Sequence, residues 1–509
     1  MKRGNNKALI MTGLIIGIVF AQLDETIVST SMPTIIRELN GLSLYGWVPG
    51  LYMLTMTSFM PILGKLADLY GRKKIYILSM SLFIIGSIIC GFATSMPILL
   101  AGRGIQGIGA GGLMPLAMVI FGDTFTVEQR AKMQGVFGAI MFVPQLLGPL
   151  VGGYLTEHIS WHWIFWVNIP VGVIAAVVLS AGLQESKGNQ NASIDWAGAI
   201  LLVGAIVSLL LTPVLHETEG YAWSSPTLIS LWVLGALLLT VFVFVERKAK
   251  EPILPMHLFR NRTFVVLSLI VFTLVIGVMG AFASFPFFSQ NVLGLSPIAS
   301  GYLTLPLMVG AVIVSVFTGR MMTKVPYRNV FIVGMIMPAL AFFLMTGIDM
   351  NTPIFEICIY FFVLGLGFGV LFNNNLIVQE SVGDADKGVS LTSIALFQSF
   401  GLTIGVSIFG SLLASNIKSG LGKLVSGELP AGSEEAIGQA AQGGIPKDLD
   451  PGLADQIKAV FSDAFQHLYW VSFVFALLVI VICFFLKKEV LTTIKPAEPS
   501  EPEKAIQGV

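Results

Sequence analysis

Fourteen apolar runs of membrane-spanning length dominate the sequence. A helix that crosses the hydrocarbon core needs about 20 mostly apolar residues. Such runs lie near 8–30, 47–67, 75–94, 97–121, 132–155, 162–183, 195–215, 227–246, 263–287, 297–319, 329–348, 353–378, 388–414 and 464–486. Short polar connections separate most of them, as antiparallel spanning helices require. Charged residues make up only 11% of the 509 residues. About 25% is usual for a soluble domain, so the chain is read as an all-α integral membrane protein.

Other features narrow the function class. The formal net charge is zero, so no basic field exists to hold nucleic acid. Cys90, Cys358 and Cys483 are far apart in apolar runs, which suggests neither a disulfide frame nor a metal cluster. There is no G-x-x-x-x-G-K-[ST] phosphate loop, no soluble stretch to hold a nucleotide, and no triad-like arrangement. An enzyme or an ATP-driven exporter is disfavoured, and neither catalytic residue, metal nor cofactor is expected. The first run is long enough to span, so a cleavable leader is not expected.

Lys and Arg accumulate on the cytoplasmic side of membrane proteins. With the N-terminus inside, 23 of the 29 basic residues fall in inner segments, five fall in outer ones, and Arg103 lies within a span. Both termini are therefore expected in the cytoplasm. Residues 415–463 read as an outer loop whose second half, from Gly452 to Phe465, has the pattern of an amphipathic helix. Residues 491–509 read as a disordered tail.

The connection after the second run is Gly64-Lys-Leu-Ala-Asp68-Leu-Tyr-Gly71-Arg72-Lys73-Lys74. Its spacing resembles the signature loop of the major facilitator superfamily. Leu23-Asp24-Glu25-Thr26-Ile27-Val28 with Met32-Pro33, followed by Trp47 and Tyr52, resembles the 14-helix drug:proton antiporter branch, which includes bacterial multidrug efflux transporters. Arg103-Gly-Ile-Gln106-Gly107-Ile-Gly109-Ala-Gly111 is similar to the family's arginine motif. Gly148-Pro149-Leu-Val-Gly152-Gly153 is similar to its antiporter motif, although Pro144 stands where glycine is usual. Trp161 through Pro170 resembles the usual entry to the sixth span.

The resemblance implies two six-helix bundles, 1–183 and 263–490, with two additional helices in 184–262 and halves that rock about a central site. It implies a monomer in the cell membrane, powered by the proton gradient, that exports apolar and often cationic small molecules. The alternative is a permease or exporter of the same fold dedicated to one metabolite.

Ionisable groups inside spans are functional candidates. Asp24 lies about 10 Å from the outer end of its span and Arg103 about 9 Å, at about 1.5 Å per residue. Gly13, Gly17, Asp24 and Ser31 share a small, polar stripe, whereas Glu25 is turned about 100° onto an apolar one. Asp24, Glu25 and Arg103 are the proton-coupling candidates. A static helix–helix contact remains the other reading of each.

Gln106 and Met114 share the Arg103 face and, with Asn373, Asn374 and Gln398, are candidates for a substrate cavity. The amides fit equally well as locks between helices. The resemblance makes Gly64, Asp68, Gly71, Arg72 and Arg130 a conformational gate. Asp68 is expected to pair with Arg72 and Arg130 in the state open to the outside. Gly148, Pro149, Gly152 and Gly153 are expected to allow close packing and a bend.

Overall fold

A computed structural model describes residues 6–39, 44, 47–184, 195–249, 252–295, 297–383, 386–425 and 450–493. No β-strand occurs among the described residues. The helices are α1 (Lys7–Leu39), α2 (Trp47–Tyr70), α3 (Arg72–Gly91), α4 (Met96–Thr124), α5 (Val127–His158), α6 (Trp163–Trp166), α7 (Asn168–Gly182), α8 (Trp196–Glu219) and α9 (Pro226–Glu246). They continue with α10 (Arg262–Asn291), α11 (Pro297–Tyr302), α12 (Leu305–Met321), α13 (Tyr327–Met345), α14 (Ile354–Leu371), α15 (Asn374–Ser381), α16 (Lys387–Val425) and α17 (Pro451–Cys483). Among the described residues, 12 helical stretches are long and apolar enough to cross a membrane, some of them joining two consecutive helices. The long helices α2 and α5, with more polar ends, complete the expected fourteen.

The chain packs as two units. The first comprises residues 1–265, 374–399 and 491–509, and the second 266–373 and 400–490. By packing, 374–399 thus group with the first unit, although the sequence reading places them in the 263–490 stretch.

Helix association in lipid relies on close van der Waals packing, which small residues permit. In the first unit, a Cβ at Gly107 or Gly111 would strike the backbone of α2, and one at Gly109 would strike α3. The glycine ladder of α4 thus lets that helix press against both neighbours. Two apolar clusters flank the level of Asp24 on α1. One contains Leu14, Ile18, Phe83 and Leu113; the other contains Ile27, Val28, Leu99 and Trp161. In the second unit, Phe285 meets Phe361 edge-on at 4.6 Å, and the Ser472 hydroxyl donates to the Gly277 carbonyl at 2.9 Å.

The expected outer loop 415–463 is shorter than its sequence suggests. Leu413, Ile417 and Leu421 form a buried stripe at four-residue spacing, so α16 continues to Val425. Asp450 caps α17, accepting from the Gly452 and Leu453 N–H groups, and the expected amphipathic entry is helical from Pro451. Residues 426–449 and 494–509 lie outside the described residues, as does the expected disorder of the tail beyond Thr493.

Candidate functional site

The small stripe of α1 fits against its neighbours as its residue sizes demand. A Cβ at Gly13 would lie 2.9 Å from the Leu179 backbone nitrogen on α7. One helical stretch further along, Asp24 is 1% exposed, as is Arg103 of α4. Arg103 Nη1 donates to Asp24 Oδ2 at 2.6 Å. Asp24 Oδ1 accepts from Gln106 Nε2 at 2.7 Å and from Asn168 Nδ2 at 2.6 Å. Gln106 Oε1 accepts a further bond from Arg103 Nη1 at 2.7 Å. The Ser87 hydroxyl accepts from Gln106 and Asn168 and donates to the Phe83 carbonyl. The guanidinium lies 4.0 Å from the centroid of the Tyr52 ring, within cation–π range.

Every partner of Asp24 in this network is an N–H donor, which matches an acceptor-only, ionised carboxylate. Oδ1 accepts two of these bonds and Oδ2 one. Glu25 is half-buried and takes no part in the network. Asn168, Ser87 and Tyr52 complete the site without having been assigned to it from sequence. The signal available for Asn168 was its place in the Trp161–Pro170 segment.

The expected cavity residues disperse. Gln106 belongs to the Asp24 network. Met114 sulfur accepts from Gln22 Nε2 at 3.7 Å. Asn373, in the turn between α14 and α15, is buried and donates to Thr318 Oγ1 of α12 at 2.9 Å. Asn374 is buried with neither amide atom hydrogen-bonded among the described residues, and Gln398 is exposed.

The signature loop turns at Gly71, whose φ of 104° disfavours any residue with a side chain. Gly64 lies against Thr392 of α16, so a Cβ would sit 2.6 Å from its hydroxyl. The Asp68 carboxylate lies over the first turn of α16 at Gly388. The Val389 N–H is an electrostatic partner rather than a well-aligned donor. Arg72 stands 3.7 Å from Asp68 and also pairs with Asp123 at the end of α4. Asp68 lies beyond the apolar run 47–67, and burial pushes its carboxyl up to about 7 against the pull of Arg72 and Lys65.

Arg130 does not join Asp68, contrary to expectation. Its guanidinium engages Gln379 and Glu380 of α15, and Gln379 in turn donates to the Met118 carbonyl at 3.0 Å. With α15 packed against α4 and α5, the available carboxylate for Arg130 is Glu380. Asn261 Nδ2 donates to the Ser381 carbonyl at 2.7 Å, and His257 pairs with Asp386 at 2.6 Å. Lys73 donates to the Ser180 and Leu183 carbonyls at 2.7 and 2.8 Å, satisfying the end of α7.

The antiporter-like segment divides. A Cβ on Gly148 would sit 2.5 Å from Thr26 Cβ, so α5 and α1 touch there. The Thr26 hydroxyl also donates to the Pro144 carbonyl at 3.1 Å. Gly152 is buried, whereas a Cβ on Gly153 would meet nothing within 4 Å. Close packing therefore does not extend to Gly153. The α5 backbone remains helical through Pro149, whose side chain lies outside the described set.

Residues 14–406 match the Major Facilitator Superfamily. The chain belongs to that superfamily. It is a multi-pass membrane transporter and not an enzyme. It is 37% identical over 530 residues to multidrug transporter protein MdtP of Bacillus subtilis (strain 168), covering 99% of this chain and 97% of that protein. It is 34% identical to multidrug resistance protein 3 of the same organism, covering 97% of each. Among solved structures, this major facilitator resembles the proton:xylose symporter XylE with a TM-score of 0.61 and 13% identity, over 95% of this chain and 98% of that one. That likeness is one of fold alone.

Proposed function

We propose that this protein is a proton-coupled exporter of apolar, often cationic compounds, working by alternating access as a monomer in the cell membrane with both termini in the cytoplasm. The observation that carries the reading is Asp24, a buried carboxylate held only by donors and paired with Arg103. A proton and a cationic substrate would compete for that one negative charge, each arrival favouring departure of the other, which is antiport by linkage. Full-length similarity to two relatives named for multidrug transport or resistance supports the substrate class. The energy source is the proton gradient, with no cofactor. Gln106 sits in the coupling network, and the unpaired amide of Asn374 suits a substrate path.

In this reading 1–183 and 263–490 act as the two moving bundles and 184–262 supplies the additional pair. Gly64, Asp68, Gly71, Arg72 and Arg130, joined by Glu380, form the cytoplasmic gate.

Inverted membrane vesicles test the function. Adding cationic dyes or antiseptics to energised vesicles should dissipate part of the proton gradient, and the compounds should compete broadly. Transport of one metabolite without competition, or transport indifferent to the proton gradient, would overturn it.

The gate carries its own prediction. Asp68→Asn should slow transport severalfold in proteoliposomes while equilibrium dye binding stays near wild type. Because burial raises the Asp68 carboxyl, the latched arrangement has its full advantage below the group's ordinary value and loses it as pH rises through about 7. Asp68→Asn should remove that pH dependence. Normal transport by the variant would exclude the gate role.

A further inference from the structure

Two carboxylates meet away from Asp24, where α8, α9 and the stretch after α9 join. Asp195 caps α8: its Oδ1 accepts from the Gly198 N–H at 2.8 Å. Its Oδ2 is buried and has no hydrogen-bond partner among the described residues. Glu246 ends α9 and is 2% exposed. Its Oε1 accepts from the Leu254 N–H at 2.5 Å, tying the following stretch back to the helix. Its Oε2 is likewise buried without a partner among the described residues.

The two orphaned oxygens converge on one spot. A Cβ built on Gly198 would lie 2.5 Å from Asp195 Oδ2 and 2.7 Å from Glu246 Oε2. The oxygens are therefore within about 5 Å of one another, the sum of those two distances. A buried acceptor without a donor costs free energy, and two facing carboxylates cannot both ionise cheaply. Lys65 of α2 is electrostatically coupled to Glu246 and also to Asp68, but neither orphaned oxygen accepts a hydrogen bond from it.

We propose that Asp195 and Glu246 share a single proton, a protonation site separate from Asp24 at the joint of the two additional helices. The proton comes from solvent and returns to it. When it leaves, the joint gains one negative charge, and Lys65, shared with Asp68, is the cation placed to answer it. The site thereby connects the additional pair to the signature loop. It does not depend on which compound the protein transports.

Dicyclohexylcarbodiimide, an apolar reagent for protonated carboxyl groups, tests the proposal. The purified full-length protein in detergent is labelled at neutral pH and the modified peptides are mapped by mass spectrometry. The expected label falls on Glu246 or Asp195. Asp195→Asn still offers an oxygen to cap α8 but removes the facing charge, and should lower labelling of Glu246 at least about fivefold. Absence of label from both residues in the wild type, or undiminished labelling of Glu246 in the variant, overturns the shared proton. Glu246→Gln gives an independent readout, because its amide oxygen can still accept from Leu254. It should take up about one proton fewer per molecule than wild type between alkaline and neutral pH. Equal uptake by a folded Glu246→Gln protein rejects the site whatever the fate of the first variant.

Discussion

Asp24→Asn should reduce export of cationic substrates to background and abolish the proton release that substrate binding causes in detergent. Asparagine nearly matches the volume of the native side chain but carries no charge. It also places an NH2 group where the site offers donors: Arg103 on one side, Gln106 and Asn168 on the other. Whichever way the amide turns, two donors face each other. Arg103, 1% exposed, then has no anion in this network. Breaking a buried pair from one side typically costs about 3–5 kcal/mol, so size-exclusion profiles of a fluorescently tagged variant must accompany the transport assay. Neutral substrates should still bind, since their binding does not draw on the charge. Glu25→Gln should be milder, because Glu25 is outside the network. Wild-type proton release by folded Asp24→Asn would reject the assignment, and its loss in Glu25→Gln instead would move the role one residue along the helix.

Gly148→Leu should abolish export, and Gly153→Leu should leave it near wild type. The two residues are five apart on α5 but meet different surroundings. At Gly148 even a Cβ presses on Thr26, two residues after Asp24 on α1. A branched side chain there must push the two helices apart or force both off their rotamers. Overpacking of a tight contact commonly costs about 1–3 kcal/mol, and here the displaced helix carries the coupling carboxylate. At Gly153 a side chain enters open space. Vesicle efflux measured on equal amounts of tagged, monodisperse protein separates loss of movement from loss of fold. Full efflux by well-folded Gly148→Leu would sink the idea that this contact must remain close.

The spans and the Asp24–Arg103 meeting are legible because membrane depth is a one-dimensional quantity. Counting residues from the ends of two apolar runs places both groups at the same level, and their atoms stand 2.6 Å apart. The choice of partners across the bundle is not one-dimensional. Asn168 reaches Asp24 across 144 positions, and nothing in its local pattern distinguishes an amide that bonds a carboxylate from one that caps a helix. Arg130 presents the same problem over 250 positions. Charge and loop position offered it Asp68, but the packing of α15 offered it Glu380. The sequence reading ends this apolar span near 414 and assigns 415–463 to a loop, so the length of α16 was not read from it. Gly420 lies against Val460 of α17, so the missing side chain marks a contact and not an end.

Asn168 and the anchor point of Lys73 occupy opposite ends of one short helix. Asn168 opens α7 and grips Asp24. The Ser180 and Leu183 carbonyls at the other end are held by Lys73 of the signature loop. Fifteen residues separate these ends, or about 22 Å at about 1.5 Å per residue. A helix of that length is stiff against compression, so α7 rigidly spans the distance between a charge and a turn. If Asn168 releases a newly protonated Asp24 and α7 slides, the basic loop must travel with it or give up two charge-assisted bonds. The two places where sequence conspicuously departs from ordinary membrane composition are therefore attached to the same helix.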